Sequence, residues 1–304
     1  MIDVRKLRML AALDRLGTVA AVADELRLTA PGISMQLRAL ERELGIALTE
    51  RRGRRLALTP AGTLLAAHGR DVLDRVSLAE REVDALRRGA AGTYRVAAFP
   101  SAARTIVADA WSRLTAEGGG IELTLTTPEP EEALMALVEG GTDLAVVHSY
   151  SNVSRALPEG VEASDVATEP VWVAIRADDP VAGDTVDLAS LERHPWVAAS
   201  RHLTCYEMTE RACGLAGFRP RVVAESTDFA GQLELVAAGV GVALVPDLTT
   251  ATVPDGVRLA RPATPLHRRT RAARRSTMRT DPGLDRVVGL LVEAAVRRIR
   301  VAPQ

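Results

Sequence analysis

The chain has 304 residues, 47% hydrophobic and 25% charged, which excludes a wholly disordered or collagen-like protein and leaves enough chain for two or three domains. Aromatic residues are only 3%, so stacking on aromatic platforms is not expected to carry function, and two cysteines, Cys205 and Cys213, cannot frame a disulfide scaffold. The net charge of −1 hides an asymmetry: residues 1–90 carry +4 and the rest −5, so a polyanionic partner suits the first part alone.

Residues 1–59 read as short helices followed by a hairpin. Val4, Leu7, Leu10 and Ala11 recur at helical spacing, Gly17 ends that helix and Thr18 caps the next, whose buried face is Val19, Val22, Ala23 and Leu26. A third helix follows Thr29, with Pro31 tolerated in its first turn, where its missing N–H has no helical partner anyway. Ile33, Leu37, Leu40 and Leu44 form its apolar stripe and Gly45 stops it. Arg51-Arg52-Gly53-Arg54-Arg55, flanked by Leu48, Leu56 and Leu58, reads as a turn between two short strands.

Residues 60–88 read as one long helix entered at Pro60. Leu65, Val72, Val76, Ala79, Val83 and Leu86 form a seam of two apolar residues per heptad, with charges outside it. A lone helix cannot bury such a seam against itself, so self-association is expected, with packing on the chain's own body as the alternative.

Residues 91–304 alternate strands and helices. Strands are expected at Tyr94–Phe99, Ile121–Thr127, Leu144–His148, Val171–Arg176, Trp196–Ala199, Arg221–Ala224 and Val242–Val245. Helices are expected at Arg104–Leu114, Glu131–Glu139, Tyr206–Ala216, Phe229–Ala238 and Pro282–Arg300. The alternation predicts an α/β body with largely parallel sheets. No stretch approaches the roughly 18 apolar residues of a spanning helix, and Met1 to Leu16 lacks the apolar centre of a signal peptide. The expected address is the cytoplasm, with no membrane partner.

The stripe on the third helix leaves Pro31, Ser34, Met35, Arg38 and Arg42 on the opposite face. A helix presenting small and polar groups in its first turns can enter a major groove while the preceding helix braces it. Four arginines at 51–55 suit a wing that grips phosphate or the minor groove, although alone the run reads as a solvated hairpin.

These residues resemble the winged helix-turn-helix of LysR-type transcriptional regulators. The pattern runs from Leu7 through Ala20-Ala21, the Pro31, Ser34 and Gln36 turn and Leu40-Glu41 to Gly45, Arg51, Thr59 and Gly62. The resemblance implies a DNA-binding domain at 1–59, a linker and dimerisation helix at 60–90 and an effector-binding domain at 91–304. That last domain would be two α/β lobes of periplasmic-binding-protein type, lobe I at about 91–165 and 267–304 and lobe II at about 166–266. It also implies dimers pairing into tetramers, a small-molecule effector, double-stranded DNA with half-sites about one helical turn or a multiple apart, and RNA polymerase as a further partner. The DNA-contact candidates are Thr18, Thr29, Ala30, Pro31, Gly32, Ser34, Met35, Gln36, Arg38, Arg51, Arg52, Arg54 and Arg55. The chain departs from the family at Met35, where a basic residue is common, and at Thr49, where Phe is common.

Ligands of open α/β sheets lie off the carboxyl ends of strands, and helix N-termini there suit a carboxylate or other anion. The effector candidates are therefore Pro100, Ser101 and Ala102 after the first strand, Thr127 and His148 at later strand ends, Arg201 and Thr204, and Ser226, Thr227 and Phe229 in the second lobe. Each has a plainer alternative as a helix cap, a core residue or a surface ion pair. Cys205 and Cys213 lie where peroxide-sensing relatives carry a reactive pair, so a thiol-redox-responsive regulator is an alternative within the family. A solute-binding protein or enzyme built on the body alone is the alternative outside it, and it leaves residues 1–88 without a role. Gly239-Val240-Gly241 lacks a third glycine and precedes a strand. No metal-spaced cluster or nucleophile elbow is present in the sequence, so neither cofactor, metal nor catalysis is expected. The basic stretch Arg268–Arg275 is expected to be a return strand with a solvated edge.

Overall fold

The computed structural model describes residues 2–52, 55–88, 91–118 and 120–299. Helices α1 (Val4–Leu16), α2 (Val19–Leu26) and α3 (Ala30–Leu44) start where short polar side chains accept from the open N–H groups. Asp3 accepts from the Arg5 N–H at 2.8 Å, Thr18 from Ala21 at 3.2 Å and Thr29 from Gly32 at 3.2 Å. Gly17 and Gly45, both at φ 70°, end α1 and α3. Leu10, Leu13, Val22, Ile33, Leu37 and Leu40 close one small core. Leu44 of the expected stripe lies in the last turn and is exposed, because that core has already ended.

Strands β1 (Thr49–Arg52) and β2 (Arg55–Leu58) pair antiparallel and set Arg52 opposite Arg55. Glu41 ties this hairpin to α3: its Oε1 accepts from the N–H groups of Leu48 and Thr49 and from the Thr49 hydroxyl at 2.8–2.9 Å. Thr49 thus fastens the hairpin by hydrogen bonds where a Phe would pack. Helix α4 (Pro60–Arg88) starts hard against β1, and a side chain at Gly62 would meet the Leu48 carbonyl at 2.0 Å.

One side of α4 is occupied by the rest of the chain. Leu65 packs on the N-terminal core rather than joining the expected seam, since the helix runs alongside α1 there. Leu78 enters the body's core. Asp74 accepts from Arg275 Nε at 2.5 Å and from Thr277 at 2.8 Å, and Arg81 donates to Asp281 at 2.5 Å. On the other side Val72, Val76, Ala79 and Val83 are exposed. The side chain of Leu86 lies outside the described residues.

The body opens with β3 (Gly92–Ala98). A helix follows, in three segments: α5 (Pro100–Ala102), a π-helical turn (Ala103–Val107) and α6 (Ala108–Glu117). Then come β4 (Ile121–Thr126), α7 (Pro130–Val138), β5 (Leu144–Tyr150), β6 (Val161–Arg176), β7 (Thr185–Val186) and β8 (Pro195–Ala198). The chain continues through α8 (Thr204–Leu215), β9 (Arg221–Glu225), α9 (Phe229–Ala237), β10 (Ala243–Pro246), β11 (Val257–Pro262), β12 (His267–Arg275) and α10 (Pro282–Arg298).

The main sheet runs β4-β3-β5-β12-β6-β11-β7, with β10 also beside β6, while β8 pairs β9 and bridges to Val242. It is mixed rather than largely parallel: β3 is parallel to β4 and β5, but β12 is antiparallel to β5 and β6, and β10 and β11 are antiparallel to β6. The cause is that β6 and β12 carry the chain between two lobes in opposite directions. Val96, Ile106, Leu144, Val166 and Leu291 pack in the first core, and Val171, Trp196, Met208, Val245 and Leu266 in the second. The chain first passes from one core to the other at residues 167–170, where Pro170 interrupts the donor row of β6. Among the described residues no helix is long and apolar enough to cross a membrane.

Candidate functional site

Two regions gather the residues singled out by sequence. In the first, α3 presents Pro31, Met35, Gln36, Arg38 and Arg42 to solvent, Met35 with 66% of its surface exposed. Arg38, Arg42 and Arg51 are exposed and form no ion pair among the described residues. Thr18 and Thr29 serve as caps, Ala30 and Gly32 are half-buried in the first turn of α3, and Ser34 donates its hydroxyl to the Ala30 carbonyl at 3.1 Å. The Ser34 proton is therefore committed within the helix and its oxygen is left as an acceptor. Arg54 and the side chains of Arg52 and Arg55 lie outside the described residues.

The second region is the buried junction between the lobes. Ser101, buried at the start of α5, accepts from Arg268 Nη1 at 3.1 Å. Arg268 is fully buried, its Nε donates to Glu169 Oε1 at 2.7 Å, and its guanidinium lies 5.0 Å from the centre of the Phe99 ring. Glu169 Oε2 accepts from the Leu248 N–H at 2.6 Å. His148 packs edge-on between Phe99 at 4.6 Å and Tyr150 at 5.3 Å, and the Tyr150 hydroxyl lies 3.1 Å from Cys205 Sγ on α8. At the surface, Arg104 of the first lobe pairs with Asp228 of the second at 3.2 Å.

The other candidates are scattered. Ala102 and Phe229 are buried in the two cores and do not face that junction, because each lies on the inner face of its helix. Pro100 and Thr127 are exposed, Thr127 just beyond β4. Arg201 is a surface residue 3.9 Å from Glu225. Thr204 is buried at the first turn of α8. The α9 cap is Asp228, and Ser226 donates to the Asp228 carbonyl at 3.0 Å while Thr227 is exposed.

Sequence reasoning missed Arg268, Glu169, Phe99 and Thr270. The stretch Arg268–Arg275 is no solvated edge: β12 lies between β5 and β6, and Arg268, Thr270 and Arg275 are buried. The alternation of its side chains, with Arg269 on Asp165 at the surface and Arg268 and Thr270 inside, was the available signal.

Burial sets the titration of this cluster. It pushes His148 well below its usual 6.5, and the nearby Arg268 charge acts in the same direction. The unfolded chain therefore takes up a proton below pH 6.5 that the native histidine refuses. This contribution to stability is fully present above pH 6.5 and is lost as pH falls. The stability advantage of wild type over His148→Gln is expected to be flat above pH 6.5 and to shrink below it by up to about 1.4 kcal/mol per pH unit. Urea midpoints measured from pH 8 to pH 5 check this; a parallel pair of curves would contradict it.

The thiols do not fit a redox pair. Burial pushes Cys205 up to about 11 and Cys213 up to about 12, so neither is a reactive thiolate near neutrality. Both lie on the single helix α8, eight residues apart, a rise of roughly 12 Å that a disulfide cannot span. Among the described residues no group of His, Cys, Asp and Glu could hold a metal ion.

The bacterial regulatory helix-turn-helix protein, lysR family, matches residues 4–63, and the LysR substrate binding domain matches residues 87–296. The chain is 29% identical over 251 residues to YnfL of Escherichia coli (strain K12), an uncharacterized HTH-type transcriptional regulator, covering 81% of this chain and 82% of that protein. Its fold is similar to that of a full-length OxyR variant from Pseudomonas aeruginosa, with a TM-score of 0.77 at 18% identity over 100% of this chain and 99% of that one. It is also similar to full-length LysG from Corynebacterium glutamicum with bound effector Arg, with a TM-score of 0.66 at 21% identity over 99% and 100% of the two chains. A helix-turn-helix followed by a substrate-binding body, each matched in that order, makes this chain a member of the LysR family, DNA-binding transcriptional regulators that carry an effector-binding domain.

Proposed function

We propose that residues 1–59 read duplex DNA with α3 in the major groove and the β1–β2 hairpin as the wing, that residues 60–90 double the reader, and that residues 91–304 bind the effector between their lobes. One observation supports this most directly: the outer face of α3 is exposed and its arginines have no acidic partner among the described residues, next to a basic hairpin. Met35 stands where family members often place a cation, so the base read at that position is taken by an apolar contact, as with a thymine methyl. The protein acts where the chromosome is, in the cytoplasm. Sequencing genomic fragments retained by the protein in its own host tests the reading. A shared, roughly two-fold symmetric site is expected, and retention of random fragments would oppose it.

The exposed stripe Val72, Val76, Ala79 and Val83 supports pairing through α4, since a second copy of that stripe would cover it without disturbing the face already packed on the body. Val76→Arg puts a charge in the seam. It is expected to halve the mass seen by light scattering and to weaken operator binding by about 100-fold, because two half-sites held together bind far better than one. An unchanged mass would move the dimer contact elsewhere. Effector binding would bias the assembly only through unequal affinity for its arrangements.

A further inference from the structure

The strands that cross between the lobes have a second face. Register sets Arg269 of β12 between Ser149 of β5 and Thr168 of β6, a single rung of three side chains. Alternation along the strands turns this rung away from the buried Arg268, Thr270 and His148. It shares instead the face of Ala145, Val147 and Ala273, on which α7 packs through Ala133 and Leu137. A cavity of about 430 Å³ opens on this reverse face. The whole rung lines it, together with Arg271 and with Ser154 and Arg155 of the loop after β5, and none of its lining residues is acidic.

The lining is a set of donors. Arg155 Nε is buried without a hydrogen-bond partner, and a guanidinium nitrogen can only donate, so an acceptor is missing there. Asn152 Oδ1, the other buried orphan of this loop, only accepts and is not part of the lining. Arg271 forms no ion pair with a described residue, and the hydroxyls of Ser149, Ser154 and Thr168 are likewise unengaged. Arg269 is held by Asp165, and Arg155 by Glu131 and, at 3.6 Å, by Glu207. These pairs are partly exposed and individually weak, so an anion of higher charge can share their arginines. A carboxylate offers two oxygens in one plane. A phosphate group offers three acceptor oxygens and up to two negative charges, which matches arginines and hydroxyls arriving from three strands and a loop. The volume lies within the range of small-molecule sites and leaves room for an organic remainder.

We propose that this cavity binds a tetrahedral oxyanion, free or as the phosphate of a small organic ester, on Arg155, Arg271 and the Ser149–Arg269–Thr168 rung. The site is separate from the effector site between the lobes and does not depend on it. Arg155 pairs with Glu131 of α7 in one lobe and Glu207 of α8 in the other, so the anion competes with a contact that spans both.

The probes are inorganic phosphate, sulfate and glycerol phosphate, with acetate and glycerol as controls, all at constant ionic strength. Calorimetric binding and melting temperature are followed for the full chain. At least one phosphate is expected to bind and raise the melting temperature while acetate and glycerol do not. Tighter binding of the ester assigns the site to a phosphorylated molecule, and equal or weaker binding assigns it to the free ion. Arg271→Gln is expected to weaken the bound species by about tenfold or more, the effect of losing a charged hydrogen bond. Arg155→Lys keeps the charge but lacks the Nε donor, and a similar loss is expected. Glu131→Gln removes the competitor for Arg155 and is expected to tighten binding several-fold, a direction that partial unfolding cannot imitate. The proposal is overturned if none of the oxyanions binds, which leaves only water on Arg155 Nε, or if acetate binds as well as phosphate. It is also overturned if affinity is unchanged in Arg271→Gln and Arg155→Lys, which places the ion elsewhere, such as on the arginines of α3, or if Glu131→Gln weakens it.

Discussion

Replacing Arg52, Arg54 and Arg55 with alanine is expected to cut operator affinity on the order of 100-fold near physiological salt and to lower the salt slope by about 2 to 3. Each phosphate contact contributes about 0.9 to that slope, and three wing cations account for the change if each neutralises one phosphate. The hairpin is fixed on α3 by the Glu41 hydrogen bonds to Leu48 and Thr49, so the wing and the reading helix move as one body. Its register pairs Arg52 with Arg55 directly, and like charges at paired positions oppose hairpin formation. Stability of the free triple variant is therefore expected to be unchanged or slightly higher while DNA affinity falls, a divergence that general unfolding cannot produce. Filter binding from low to high salt, beside a melting curve, checks both. An unchanged slope would falsify the wing's role.

What the sequence made legible was largely what is written locally. Thr18, Thr29, Gly17 and Gly45 mark helix ends through their own chemistry: Gly17 ends α1, Thr18 starts α2, and Thr29 and Gly45 bound α3. The seam Val72, Val76, Ala79 and Val83 was visible as a period, but that Leu65 would be claimed by the N-terminal core and Leu78 by the body depends on neighbours far along the chain. The first ten residues of β6, from Val161 to Pro170, include three acids paired with β12 arginines by position. They lie outside the strand expected at Val171–Arg176 because their apolar content is low and Pro170 stands at the end. In the site, Ser101 was legible as a residue following a strand and opening a helix. Arg268 was not, since a run of arginines signals surface, and only the pairing of β12 between β5 and β6 turns Arg268 and Arg275 inward.

That inward arginine sets the largest effect on folding. Glu169→Gln is expected to destabilise the protein by about 3 to 5 kcal/mol, because it removes the one acidic partner of a fully buried cation and leaves the guanidinium uncompensated. Volume is nearly conserved, so cavity formation contributes little. Burial alone would favour a protonated Glu169, and it pushes the carboxyl upward even against Arg268. The ionised pair is thus only modestly favourable as a unit and costly to split. Arg268→Met/Glu169→Gln removes both charges and is expected to recover most of the loss, because Met fills the stem of the arginine and the Gln carbonyl can still accept from the Leu248 N–H. Urea denaturation of wild type, both single variants and the double variant closes the cycle. A coupling of about 2 kcal/mol or more is expected between the two positions. Additive losses would mean that the two groups are held by their surroundings rather than by each other, and the strand register that brings β12 against β6 would then owe nothing to this pair.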